Sequence, residues 1–234
     1  MANDIVWVAG AYVVGTFPST YLIAKLKRSN GLLTAAGRNA GETDAHIMMT
    51  KYLGAGWSTL AATADVLKAL VFVLAARHLG GLPAGWLAVV GVCVVAGHSF
   101  PFYATRMAGR GMSASAGVLL VLLPWEMVAA GVVIVLGVLA KNSGLASTIG
   151  LATVPVLAAL QGQPAAFVTM SLAIFALILA RRLQGVREVI AAGTPVATAV
   201  LYRCLFDSSA RPGGARGPRR AGHERRPRPG PEAG

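Results

Sequence analysis

The chain has 234 residues, 55% hydrophobic and 13% charged, with a mean hydropathy of +0.63, which excludes an ordinary soluble domain and points to an all-α polytopic membrane protein. The formal net charge is +12, but 11 of the 21 Lys and Arg residues lie from Arg181 onward. That placement fits an anionic membrane leaflet better than a nucleic-acid groove, so membrane lipids are expected partners and nucleic acid is not. Cys93 and Cys204 have neither the number nor the spacing of a disulfide framework or a metal site.

In chain order, residues 5–24 read as a first span with a kink at Pro18, retained because no basic region precedes it. Lys25, Lys27 and Arg28 stop it, and residues 29–56 follow as a polar loop. Residues 57–79 give a second span and 83–103 a third, which leads into a break of Gly, Pro, His and Arg over Gly97–Gly111. Residues 113–140 carry Pro124-Trp125-Glu126 at their middle, and 145–160 and 165–180 are separated by Gln161-Gly162-Gln163-Pro164. A weaker apolar piece, 195–206, is too short to span. If Pro124 divides 113–140 into a short helix and a longer one, about seven transmembrane helices result. Lys25, Lys27, Arg28, Arg38, Lys51, Arg106, Arg110, Lys141 and the tail then share one side, with only Arg77 opposite. The positive-inside rule puts the N-terminus outside and the C-terminus in the cytoplasm. Residues 1–207 are thus a membrane domain, and 208–234, rich in Arg, Gly and Pro, a disordered basic tail.

Three polar segments meet on that cytoplasmic side. Irregular backbone within a membrane protein must lie at an interface or line a protein-walled cavity. Gly109 and Gly111 free the backbone around Arg110, and a helix starting near Met112 would turn its N-terminal dipole toward the same place. A guanidinium there suits phosphate, because its donors bind with fixed geometry; a plain surface loop facing lipid headgroups is the competing reading. His98 has the titration range of a general base, or serves as a helix-end histidine bonded to backbone. Arg38, Asn39, Gly41 and Thr43 combine a cation, an amide, a flexible position and a hydroxyl, as in a phosphate-binding loop or an ordinary cytoplasmic one. Asp65 and Lys68, three residues apart, share a helical face inside the second span and read as a structural ion pair. Lys141–Ser147 reads as a short interhelical loop offering an amide and hydroxyls, and Glu126 is expected at the outer interface.

Over about residues 5–194 the sequence resembles the bacterial acyl-phosphate glycerol-3-phosphate acyltransferases. Gly97-His98-Ser99-Phe100-Pro101 followed by Arg110-Gly111 is similar to that family's Gly-His-x-Phe-Pro and Gly-Gly-Lys-Gly loop. Asn39-Ala40-Gly41-Glu42-Thr43-Asp44 resembles its Gly-Asn-rich segment, Asp65-x-x-Lys68 its Asp-x-x-Lys-Gly, and Leu145-Ala146-Ser147 its Ser-Leu-Ala-Ser. The resemblance implies transfer of an acyl group from acyl phosphate to the 1-hydroxyl of glycerol-3-phosphate, giving lysophosphatidate and phosphate. It also implies a bacterial plasma-membrane protein with its site on the cytoplasmic side and no metal or organic cofactor. Arg110, His98 and Ser147 are the implied catalytic residues, with Arg38, Asn39, Gly41, Thr43, Lys68, Gly109 and Gly111 holding substrate phosphates. In such enzymes the leaving phosphate takes the proton, so a structural role for His98 also fits. The sequence departs from the family where the first-loop serine falls on Gly37, the loop lysine on Arg110, and a C-terminal His and Asn on Arg182 and Gly185. About one extra helical turn follows Asp44. These departures support a second reading, a non-catalytic or acceptor-switched paralogue that binds an anionic lipid or acyl phosphate.

Overall fold

The computed structural model describes residues 2–32, 45–103, 108–184, 186–191 and 193–206, and its regular structure is entirely helical. The Arg38, Asn39, Gly41 and Thr43 positions and the basic tail lie outside the described residues.

The first span is two helices, α1 (Ala2–Gly15) and α2 (Ser19–Leu26). Pro18 has no N–H to continue the ladder, and the Phe17 carbonyl at the break accepts a bond from Lys68 Nζ at 2.8 Å as well as one from Ser19 N. The polar 29–56 segment is partly helical, against the loop expected from its composition: α3 spans Ala45–Leu53. Its Ala45, Met48 and Met49 fall on one face and close a small buried cluster with Ala24, Leu32 and Ala61. After Gly54, at φ +92°, α4 runs unbroken over Ala55–His78.

The third apolar run forms α5 (Ala84–Ser99), so Gly97, His98 and Ser99 are helical and the break begins only at Phe100. Glycine tolerates this position because α1 presses against it: a Cβ on Gly97 would overlap the Tyr12 carbonyl oxygen, and one on Gly15 that of Val94. Gly111, at φ +89°, turns the chain into α6 (Met112–Leu122). Pro124 does divide the next run, and α7 (Pro124–Leu139) carries it at its first position, where no N–H is needed. Arg77 Nη1 donates to the Val121 carbonyl at 3.2 Å, satisfying an acceptor at the end of α6. Then follow α8 (Ser143–Leu160), α9 (Ala165–Arg182), α10 (Val186–Ala191) and α11 (Val196–Phe206). Ser147 is therefore helical rather than in a loop.

The helices pair α1 on α5, α4 on α6, α5 on α9, α7 on α8, and α11 on α8. Val90, Val94, Val118, Leu119, Ile174 and Ile178 fill the centre. Val132, Val135, Leu136 and Leu139 of α7 stay exposed, as lipid-facing residues do. Among the described residues, four stretches are sufficient by length and composition to cross a membrane: Ala2–Leu26, Ala55–His78, Ser143–Leu160 and Ala165–Arg182. The breaks at Phe100 and Leu123 leave α5, α6 and α7 shorter. At 16 residues α5 is about 24 Å long, against a hydrocarbon core of ~30 Å.

Candidate active site

Two backbone breaks face one another at one end of the bundle. Tyr12 Oη, from α1, donates to the Phe100 carbonyl at 2.8 Å, and Tyr103 Oη donates to the Thr16 carbonyl. Between them lies a narrow cleft, its walls including Ser19, Asp65, His98, Tyr103 and Gly109.

Asp65 is the hub of its polar side, 1% exposed. Its Oδ1 accepts from Ser19 Oγ at 2.8 Å and from Lys68 Nζ at 2.8 Å, and lies 3.6 Å from His98 Nδ1. Its Oδ2 meets His46 Nε2 at 3.2 Å. The pair expected from sequence is present, then, but as part of a five-residue network drawn from α2, α3, α4 and α5. Lys68 uses all three of its donors, on Asp65, on the Phe17 carbonyl and toward His98 Nδ1 at 3.3 Å. A bond accepted at Nδ1 leaves the proton of a neutral imidazole on Nε2, the atom turned toward Gly109. There is no room for a side chain at that glycine, since a Cβ would run into the His98 ring.

Ala108–Gly111 is braced from behind by α9. Arg181, 1% exposed, donates to the Gly109 carbonyl at 3.2 Å and the Ala108 carbonyl at 3.1 Å, with its guanidinium 5.8 Å from the Phe100 ring centroid. Spending these carbonyls on Arg181 gives the loop a fixed shape, and Arg110 within it is buried, 4% exposed.

Ser147 belongs to a separate cluster. Arg182 reaches Ser147 Oγ at 2.8 Å, Thr148 Oγ1 at 2.6 Å and the Cys204 carbonyl at 2.9 Å, so it joins α8, α9 and the end of α11. Ser147 Oγ itself donates to the Gly144 carbonyl at 2.8 Å. Burial pushes the Cys204 thiol up, with Arg182 opposing, so thiolate chemistry is disfavoured there. Arg181 and Arg182, consecutive at the end of α9, link this cluster to the glycine loop.

Sequence reasoning missed His46, Ser19 and Arg181. A lone histidine in a polar loop, a serine after a proline and an arginine closing a span carry no local signal of convergence. Glu126, expected at the outer interface, is fully buried in the protein, with Gln163 Nε2 donating to it at 3.0 Å. The ligand-capable atoms of His46, Asp65 and His98 lie within 4.8 Å of one another. The Lys68 ammonium sits among them, so an internal cation already neutralises the carboxylate and would repel a second one.

Comparison with known proteins gives one consistent answer. Residues 5–192 match the family described as glycerol-3-phosphate acyltransferase. The glycerol-3-phosphate acyltransferase of Geotalea daltonii is 30% identical over 80% of this chain and 94% of its own length. That of Geobacter sulfurreducens is 29% identical over the same shares. In fold, the chain is similar to the crystal structure of PlsY, an integral membrane glycerol 3-phosphate acyltransferase, in its glycerol 3-phosphate form. The TM-score is 0.68 and the identity 24%, with 81% of this chain and 92% of that one covered. The lysophosphatidic acid form of PlsY gives a TM-score of 0.66 at 23% identity, covering 85% and 98%.

Proposed function

The chain belongs to the glycerol-3-phosphate acyltransferase family, and from that membership we propose that it transfers an acyl group from acyl phosphate to glycerol-3-phosphate in phospholipid synthesis. The 1-hydroxyl oxygen attacks the acyl carbonyl, the bond between that carbon and the phosphate oxygen breaks, and the departing phosphate takes the hydroxyl proton. Lysophosphatidate and inorganic phosphate result. The reaction requires two anions held together and an oxyanion stabilised as it forms. Arg110, with the Gly109 and Gly111 amides and the N-terminus of α6, supplies positive potential. Lys68, its donors spent on Asp65, Phe17 and His98, supports the site from behind, while Arg38, Asn39, Gly41 and Thr43 complete the phosphate contacts. His98 shapes the loop through Gly109, whereas Ser147, its hydroxyl held by Arg182 and the Gly144 carbonyl, serves the α8–α9–α11 cluster.

The single observation that carries this reading is the family match, whose residues 5–192 take in the whole of the buried Asp65–His98–Arg110 region. Purified protein in lipid, given palmitoyl phosphate and glycerol-3-phosphate, should release phosphate and lysophosphatidate together, and Arg110→Ala should stop both. No turnover by folded wild-type protein would sink the proposal.

The membrane arrangement belongs to the same proposal: seven spans, N-terminus outside, C-terminus and active site on the cytoplasmic side. The positive-inside bias supports it, with Lys25, Lys27, Arg28, Lys51 and Lys141 at one end and Arg77 at the other. Arg182 favours one second reading. It stands where the family carries histidine and occupies Ser147 Oγ, which suits a changed acceptor. Phosphate release without lysophosphatidate would select that alternative.

A further inference from the structure

We propose that His46, carried in by α3, is a positioning residue of this site: it fixes the Asp65 carboxylate, and through it Lys68, His98 and the glycine loop. Four observations converge on it. The imidazole Nε2 lies 3.2 Å from Asp65 Oδ2, on the side of the carboxylate away from Lys68 and Ser19, both of which bond Oδ1. It also lies 3.5 Å from Ser113 Oγ, in the first turn of α6 and three residues after Arg110. The backbone that presents it is clamped, because the His46 carbonyl accepts from Ser58 Oγ on α4 at 2.9 Å and from Thr50 Oγ1 at 3.0 Å. The α3 helix is anchored by the burial of Ala45, Met48 and Met49. His46 is thus placed by packing and hydrogen bonds together, not by the accident of a mobile surface side chain.

The consequence follows from the geometry of a carboxylate. A buried carboxylate oxygen left without a donor is costly, so Asp65 would rotate or draw in water when His46 is removed. Lys68 bonds Oδ1 and in turn reaches His98 Nδ1, and the His98 ring abuts Gly109. A shift at Asp65 is therefore passed to the loop that holds Arg110. Displacements of under an ångström at such a site lower turnover more than they lower substrate affinity.

The part of the proposal that concerns catalysis rests on the acyltransferase reading, and the test keeps the two apart. Full-length protein in lipid nanodiscs is compared as wild type, His46→Ala and His46→Gln with palmitoyl phosphate and glycerol-3-phosphate. The Gln side chain can place its amide N–H near the position of Nε2. The expected result is a fall in kcat of about tenfold or more for His46→Ala, a KM changed less than threefold, and recovery to within threefold of wild type for His46→Gln. Alongside, the thermal unfolding of His46→Ala, Asp65→Asn and the double variant gives a cycle that needs no activity. There the double variant should melt no lower than the more affected single one. Wild-type kinetics for His46→Ala, or equal losses in the Ala and Gln variants, would overturn the proposal. If wild type transfers no acyl group, the acyltransferase reading fails by itself and the cycle decides: coupled melting keeps His46 as the support of Asp65, and additive melting removes it.

Discussion

Asp65 shows how much a single buried side chain sets in this protein. Its carboxylate offsets the Lys68 ammonium and receives Ser19 and His46. Asp65→Asn keeps the size but leaves Lys68 as an uncompensated buried charge, so unfolding in detergent should fall by about 3 kcal/mol. A variant that melts with wild type would mean that the pair contributes nothing. At Gly109 the constraint is steric. Gly109→Ala places a methyl group against the His98 ring, and overpacking of this kind costs about 1–3 kcal/mol. Activity in nanodiscs should fall at least tenfold while the helical circular dichroism stays unchanged. Normal activity would show that the loop is looser than drawn. Sequence patterning identified Asp65, Lys68, His98, Arg110, Gly109 and Gly111 as worth watching, because charges, histidines and paired glycines stand out against apolar runs. It did not find His46 or Ser19, whose partners lie 19 and 46 residues away.

Among the elements, the broken helices decide most. Pro18, Pro101 and Pro124 each mark a place where the ladder stops, and each break is repaired from another helix: Lys68 at Phe17, Tyr12 at Phe100, Arg77 at Val121. Close approach then depends on small residues. Gly97→Leu should force α1 away from α5, and loss of folded protein on size-exclusion chromatography is the expected outcome; a monodisperse, active variant would refute the packing argument. The α11 helix is held through Arg182, which bonds both α8 hydroxyls and the Cys204 carbonyl. Arg182→Ala removes three charge-assisted bonds, each worth roughly 1.5–3 kcal/mol at most. Protease cleavage near residue 206 should become faster than in wild type, and an unchanged rate would show that α11 docks by other contacts. One helical turn was expected after Asp44 within an otherwise polar loop, and the structure has a nine-residue helix there, Ala45–Leu53, too short and mixed in polarity for periodicity to give its full length. What stabilises it is burial of Met48 and Met49 against α2 and α4.

For the whole molecule, topology is the property most open to direct test. With the native cysteines replaced, single cysteines at Asn142 and Asn30 should react with a membrane-impermeant maleimide only after the cell is opened. Cysteines at Gly81 and Gly162 should react in intact cells. The reverse pattern would invert the orientation, and a mixed one would break the seven-span count. The amino-acid sequence by itself determined that this is an all-helical membrane chain kinked at Pro18, broken over Gly97–Gly111 and divided at Pro124, and its motifs named the family, because hydropathy, proline and glycine act locally. Only the tertiary structure decided that Asp65 gathers residues from α2, α3, α4 and α5, that Arg181 braces the glycine loop, that Glu126 is buried, and that Ser147 is engaged by Arg182. Those outcomes depend on which helix faces pack together across tens of residues, and no spacing along the chain records that.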